Sequence, residues 1–301
     1  MGKDNSSNET DLLMSSLYKD IAHAKYNAGK YEEAIIACKK SREIDPKDSY
    51  PLYLEGCIHF KKEDYPLGIK FFSQALQIIK LSTYYLMRGN CKFELEDFKG
   101  AIEDFNKSIE LDPKDEYIFY KRASCYFELE DYKIAIDDLN KSIEIDQNDV
   151  NTALRGESKF ELNNYESAIE DFNKALDLDP EDDYIFYKRA SCYFELGDFE
   201  SAIDDVNKSI EIDQNDVNTA LRGTIKFKLM DYEGAIEDFN KAIELNPEDD
   251  YSFYYRSECK FQIYDYIGAI EDINKSISMD ERENKEVLLE RKELFEKVRD
   301  L

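Results

Sequence analysis

Tryptophan is absent and histidine nearly so, with only His23 and His59 in 301 residues. Imidazole-based catalysis and histidine-rich metal sites therefore have almost nothing to work with. The six cysteines form no CxxC pair, which argues against zinc ribbons and thioredoxin-type redox motifs. Cys91, Cys125, Cys192 and Cys259 recur at one register and read as small core fillers, not nucleophiles. No apolar run approaches the roughly 18 residues of a membrane span, and the N-terminus lacks the apolar core of a secretion signal, so a cytoplasmic location is expected. Basic charge is also short: 40 Lys and Arg stand against 67 Asp and Glu, for a net −27. A nucleic-acid partner needs a basic stripe to release counterions, so none is expected, and the acidity reads as solubility and self-repulsion. No glycine-rich phosphate loop occurs, and acidic runs such as DPEDDY lack the glycine and closing glutamate of a calcium loop. Neither a cofactor nor a metal is expected.

What is present is repetition. YIFYKRASCYFEL occurs at 117 and again at 184, and KSIEIDQNDVNTALRG at 141 and 208; aligning 116–182 with 183–249 gives 52 identities in 67. Inside each 67-residue block lies a weaker period of 33 or 34, carried by phrases such as FKGAIEDFNKSIELDP at 98 and YEGAIEDFNKAIELNP at 232. Eight units fit end to end: 15–48, 49–81, 82–115, 116–148, 149–182, 183–215, 216–249 and 250–282. A period of this length predicts a stacked array, each unit covering the apolar face of the next. Each unit reads as two helices. The first carries a small residue at its eighth place (Gly89, Ala123, Gly156, Ala190), the second at its twentieth and twenty-seventh (Ala101 and Ser108, Ala168 and Ala175). Such sites let paired helices approach closely. An aromatic fills the turn at the seventeenth place, and Pro46, Pro113, Pro180 and Pro247 stop four of the second helices.

These small-residue, aromatic and proline positions resemble the tetratricopeptide repeat over residues 15–282. The resemblance implies an all-α fold, a right-handed superhelical solenoid of helix–turn–helix units. The consensus tryptophan of the first helix is replaced here, for example by Tyr85, Phe119 and Ala153, and the terminal proline is missing at Lys80, Gln147, Gln214 and Glu281. Residues 1–14 are expected to be a flexible segment. Residues 283–301, with Val287, Leu288, Leu294, Phe295 and Val298 at helical spacing, are expected to form a capping helix, since an array needs a polar-backed end.

Two charge patterns stand out. Units three to eight place Arg at the seventh site (Arg88, Arg122, Arg155, Arg189, Arg222, Arg256) and Asp at the twenty-third (Asp104, Asp138, Asp171, Asp205, Asp238, Asp272). Units one and two lose both together, which predicts that the Arg and Asp touch between the two helices as structural ion pairs. Glu103/Lys107 and its equivalents, such as Asp137/Lys141 and Glu237/Lys241, have the spacing of exposed i,i+4 pairs on the second helices.

In the family, first helices line a groove that holds peptides. Mapped onto this chain, even units offer Tyr117 and Tyr120, Tyr184 and Tyr187, Tyr251 and Tyr254, while odd units offer smaller residues such as Val150, Ala153, Val217 and Ala220. Phe127, Phe194 and Phe261 are carried as groove candidates too, although an aromatic column at helical spacing more often packs between helices. The two-carboxylate clamp that chaperone-binding members use for a C-terminal tail is not matched: Lys19 is followed by His23 and Leu54, and Asn90 matches alone. Binding of chaperone tails is therefore not expected. MGKDNS fits an N-myristoylation pattern through Gly2 and Ser6, which makes a membrane partner conditional on acylation of Gly2. The resulting expectation is a protein-interaction scaffold that takes a peptide or partner helix. The alternative is a lipid-tethered regulatory adaptor. An enzyme is not expected, because no acid, base or nucleophile stands out from the repeat.

Overall fold

The structure is a computed structural model that describes residues 4–279 and 285–300. Those residues form helices and no strand, in two compact units, 1–147 and 148–301. The first unit holds α1 (Asp4–Asn27), α2 (Tyr31–Ile44), α3 (Tyr50–Lys61), α4 (Tyr65–Ile78), α5 (Ser82–Phe93), α6 (Phe98–Leu111), α7 (Glu116–Glu128) and α8 (Tyr132–Ile145). The second holds α9 (Asp149–Glu161), α10 (Tyr165–Leu178), α11 (Asp183–Glu195), α12 (Phe199–Ile212), α13 (Asp216–Lys228), α14 (Tyr232–Leu245), α15 (Asp250–Gln262), α16 (Tyr266–Met279) and α17 (Lys285–Arg299). Helix begins at Asp4, so residues 4–14 are helical where a flexible segment was expected. Gly2 lies outside the described residues. No helix among the described residues is long and apolar enough to cross a membrane.

Within each unit every odd helix packs on the even helix that follows it, and that even helix packs on the next odd one. Within each unit successive odd helices from α1 to α7 and from α9 to α15 also touch, so they form a wall in each. The hairpin turn is the same each time. Its residue at the fifteenth site is left-handed: Gly29 and Gly197, but also Glu63, Glu96, Glu130, Asn163, Met230 and Tyr264, with φ from 58° to 69° in these six. Two backbone bonds close it, as when Glu96 N–H donates to Phe93 O at 2.8 Å and Asp97 N–H to Lys92 O at 2.9 Å. Asp97 then caps the second helix, accepting from Gly100 N–H at 3.0 Å.

The core lies between the helices of each hairpin. Phe72, Phe105, Phe172 and Phe239 are fully buried and face Gly56, Gly89, Gly156 and Gly223, where an added Cβ would come within 2.6 to 2.9 Å of the ring. At the hairpin ends Ser82 Oγ donates to Ser108 O at 3.0 Å and Ser108 Oγ to Ser82 O at 2.9 Å. The small residues at the twenty-seventh site thus tie helices together as well as admitting them. The last hairpin is covered by α17, which buries Leu288 and Phe295 against Ala269 and Ile273. Phe295 stacks on Phe261 with ring centres 4.4 Å apart.

All six cysteines are free and buried. Burial pushes the thiols of Cys38, Cys91, Cys125, Cys192 and Cys259 up to about 12 and that of Cys57 to about 11. Almost no thiolate is then present near neutrality, and access is closed. A chromogenic disulfide reagent at about pH 8 is expected to label none of them in the native protein within minutes and all of them in denaturant. One fast-reacting thiol under native conditions contradicts the packing described.

Candidate functional site: the tyrosine-lined wall of the odd helices

The wall is held in place by charge from behind. Arg88 grips Asp104 through Nε at 2.9 Å and Nη2 at 2.6 Å. The other five Arg–Asp pairs have the same two-pronged geometry, with donor–acceptor distances of 2.6 to 3.0 Å: Arg122–Asp138, Arg155–Asp171, Arg189–Asp205, Arg222–Asp238 and Arg256–Asp272. Two features of this ladder go beyond what the spacing implied. First, a lysine four residues after the Arg adds a second cation to four of the carboxylates: Lys92, Lys159, Lys226 and Lys260, each 2.7 to 2.8 Å from its Asp. In the other two units that place is Tyr126 or Tyr193. Second, the remaining guanidinium nitrogen reaches back to the preceding hairpin, as Arg122 Nη1 does to Asn106 Oδ1 at 2.5 Å and Arg189 Nη1 to Asn173 Oδ1 at 2.6 Å. The recurring Asn of the second helices is therefore a link between hairpins.

Where the ladder is lost, its polarity is reversed. Glu55 stands at the arginine site of the second hairpin, 1% exposed, and Arg42 of the first hairpin lies 2.8 Å from its Oε1. Burial raises the Glu55 carboxyl against the pull of Arg42. The i,i+4 pairs expected on the even helices do not form. Lys107 and Lys241 turn the other way, to Glu110 and Glu244 three residues on, at 2.9 and 3.1 Å, and Lys141 and Lys208 lie over the rings of Phe119 and Phe186. Phe119, buried, and Phe186, half-buried, adjoin the buried Asp138 and Asp205, which Lys141 and Lys208 approach to 3.9 and 4.0 Å.

The phenylalanine column is interior. Phe127, Phe194 and Phe261 are half-buried and meet Tyr132, Phe199 and Tyr266 across the turn, with ring centres 5.3 to 5.7 Å apart. These three belong to hairpin packing rather than to an open groove, because the twelfth and seventeenth sites face each other around the left-handed turn.

The tyrosines are on the open side. Tyr117, Tyr184 and Tyr251 are 40%, 46% and 43% exposed, while Tyr120, Tyr187 and Tyr254 are half-buried beside them. Tyr117 and Tyr120 have ring centres 6.0 Å apart, Tyr184 and Tyr187 6.3 Å. Each outer tyrosine leans on the preceding odd helix when that helix offers a partner: the Tyr184 hydroxyl donates to Glu157 Oε2 at 2.6 Å, and the Tyr251 hydroxyl lies 3.0 Å from Thr224 Oγ1. Burial first, then the bond to Glu157, raise the Tyr184 phenol to about 12, so these hydroxyls stay protonated and available as donors. Between Tyr187 and Tyr251 the small side chains of α13 leave a cleft of about 360 Å³, floored by Val217, Ala220 and Leu221, with Asp216 and Asp249 on its rim. Among the described residues one carboxylate cluster, Asp149, Asp179 and Asp182, has oxygens within 4.8 Å of one another; Asp182 there caps α11 through Ile185 N–H at 3.1 Å.

A family model described as "TPR repeat" matches residues 156–197, and two described as "Tetratricopeptide repeat" match 82–115, 184–216 and 220–249, and 16–48 and 117–149. A TPR repeat-containing protein of Methanocaldococcus jannaschii is 28% identical over 92 residues, which is 31% of this chain and 16% of that one. The chain thus spans well under two thirds of that relative. Among solved structures, the Cut9–Hcn1 hetero-tetramer of APC/C is similar with a TM-score of 0.64 at 17% identity, covering 86% of this chain and 52% of that one. YrrB, described as a TPR protein with an unusual peptide-binding site, has a TM-score of 0.52 at 20% identity, covering 60% of this chain and 95% of that one. With these matches across more than half its length, and with paired helices throughout its described residues, the chain belongs to the tetratricopeptide repeat family.

Proposed function

We propose that this protein is an interaction scaffold that binds a peptide segment of a partner along the wall of odd helices, with tyrosines as anchors. The cleft between Tyr187 and Tyr251 carries the reading. It is open, apolar at its floor and flanked by rings, the arrangement that takes one ligand side chain while hydroxyls bind the ligand backbone. Alternation continues this in the second unit, where α11 and α15 carry tyrosines and α9 and α13 carry Val150, Ala153, Val217 and Ala220. Rigid aromatic rings supply contact area at low entropic loss, which makes them the natural hot spots of such a surface. The description of YrrB as peptide-binding is consistent with this use of the fold.

The test is a pull-down comparing the wild-type chain with a Tyr117→Ala, Tyr184→Ala, Tyr251→Ala variant. Partners retained by the wild type are expected to fall at least about tenfold with the variant, at unchanged helicity by circular dichroism. An unaltered partner set places the working surface elsewhere.

A further inference from the structure

The ninth site of alternate first helices recurs every 67 residues with different letters: Asn90, Glu157 and Thr224. On α9, Glu157 faces α11: its Oε2 accepts from the Tyr184 hydroxyl at 2.6 Å and lies 3.2 Å from Lys188 Nζ. The ammonium is boxed by rings, 5.2 Å from the centre of Tyr184 and 5.9 Å from that of Phe160. Burial opposes the charge on Lys188, but Glu157 and Tyr184 outweigh it and raise its pKa. The last first-helix repeats the device. Glu258 of α15 receives two N–H bonds from Arg291 of α17, and that guanidinium lies over Phe261 at 6.0 Å. Twice, then, a carboxylate at the ninth site of one odd helix neutralises a cation presented by the next packed helix.

Between α5 and α7 the cation is present and the carboxylate is missing. Lys121 of α7 lies 5.0 Å from the ring centre of Phe93, 5.7 Å from Tyr117 and 6.0 Å from Tyr120. Its counterpart of Glu157 is Asn90. Lys121 forms no ion pair or hydrogen bond with any described residue, and burial lowers its pKa with only partial relief from Glu94. Asn90 is 6% exposed, and its Oδ1 is buried with no hydrogen-bond partner among the described residues. A caged ammonium and an orphan amide oxygen in one wall, where a Glu side chain stands in the duplicate, define what is lacking.

We propose that Asn90, Tyr117 and Lys121, over the ring of Phe93, form a receptor for an acidic side chain of a bound peptide, which supplies from outside the carboxylate that Glu157 supplies from within. The proposal rests on reading the odd-helix wall as a peptide groove. Lys121 and the Tyr117 hydroxyl donate to the carboxylate, while Asn90, neutral where Glu157 is charged, leaves that place to the ligand. The occupant is an Asp or Glu side chain, since the internal stand-in is one. The chain's net charge of −27 further selects a segment that is otherwise basic.

The probe is a fluorescein-labelled, C-amidated nonapeptide with one central glutamate in an alternating alanine–lysine frame. It is compared with its central-glutamine twin and with a glutamine version ending in a free carboxylate. Anisotropy titration with the full chain is expected to give about tenfold tighter binding of the glutamate peptide than of its twin. The acidic field of the protein opposes that order, so only a local receptor produces it. Asn90→Glu, which installs an internal carboxylate, brings the ratio to about one at an equal or higher melting temperature, and Lys121→Gln does the same. Four results overturn the proposal: equal affinity for glutamate and glutamine, a preference that survives Asn90→Glu, preference for the free terminal carboxylate, or no binding of any peptide. Equal binding of both leaves the groove standing without its acid receptor, and absence of binding leaves the groove to be decided by the tyrosine variant.

Discussion

Phe172→Ala is expected to lower the unfolding free energy by about 3–5 kcal/mol, as for other fully buried aromatic truncations. Phe172 has no exposed surface, and its ring lies against the backbone of Gly156 on the facing helix. That contact has a rule behind it. In four hairpins the eighth site is Gly and the residue facing it is Phe: Gly56 with Phe72, Gly89 with Phe105, Gly156 with Phe172 and Gly223 with Phe239. Where the eighth site gains a Cβ, the twenty-fourth shrinks: Ala22 with Cys38, Ala123 with Leu139, Ala190 with Val206 and Ser257 with Ile273. The hairpin keeps its packed volume by trading a methyl on one helix for part of a ring on the other. Gly156→Ala alone therefore forces a Cβ to about 2.9 Å from the Phe172 ring and destabilises by about 1–3 kcal/mol. With Phe172→Leu already in place, the pair matches Ala123 and Leu139, and the same Gly156→Ala becomes neutral or stabilising, by up to about 1 kcal/mol, because alanine is the better helix former. Urea unfolding of the four proteins reads this cycle. Additive effects, with no change of sign, would falsify the coupling.

That trade was written in the letters and is missed when the eighth and twenty-fourth sites are read one at a time. Eight units in one chain act as eight variants of one hairpin, and comparing columns in pairs reveals what a single column does not. The Arg and Asp columns were legible because both change together and because only a bidentate pair suits those residue types. Their additional partners were not: Lys92 looks like an ordinary surface letter until the two helices of its hairpin are paired, and Asn106 until two hairpins are stacked. The reversal at Glu55 and Arg42 was hidden for the same reason: its two halves belong to different hairpins, so no within-unit comparison pairs them. Helical spacing likewise misassigned the even-helix lysines. The i,i+4 geometry was available to Lys107 and Lys141, but carboxylates and rings on other faces compete for a flexible side chain. Exposure separates the two aromatic columns. Tyr117, Tyr184 and Tyr251 remain open, while the Phe column closes on the turn, because the left-handed residue at the fifteenth site folds the seventeenth back onto the twelfth.

Asp171→Asn is the second large effect. Asp171 is 1% exposed and carries three contacts from two cations: Arg155 Nε at 2.9 Å, Arg155 Nη2 at 2.7 Å and Lys159 Nζ at 2.7 Å. An amide of the same shape keeps one acceptor oxygen, turns an N–H₂ donor toward the guanidinium and removes the charge that both cations grip. Breaking a buried pair from one side typically costs about 3–5 kcal/mol, and the partial access of Arg155 and Lys159 to water argues for the lower end, about 3 kcal/mol. Asp138 provides the comparison. It is equally buried and is gripped by Arg122, but Tyr126 occupies the lysine place, and the nearest other cation is the exposed Lys141 at 3.9 Å. Asp138→Asn strands one cation instead of two and is expected to cost about 1–2 kcal/mol less, in line with a charged hydrogen bond's contribution. Both variants keep the helix count, so circular dichroism at low temperature stays unchanged while the melting temperature falls, further for Asp171→Asn. Equal losses at the two sites would mean that the lysine adds nothing to the rung. No loss at either would mean that the guanidinium fork positions the hairpins without stabilising them, as exposed pairs do.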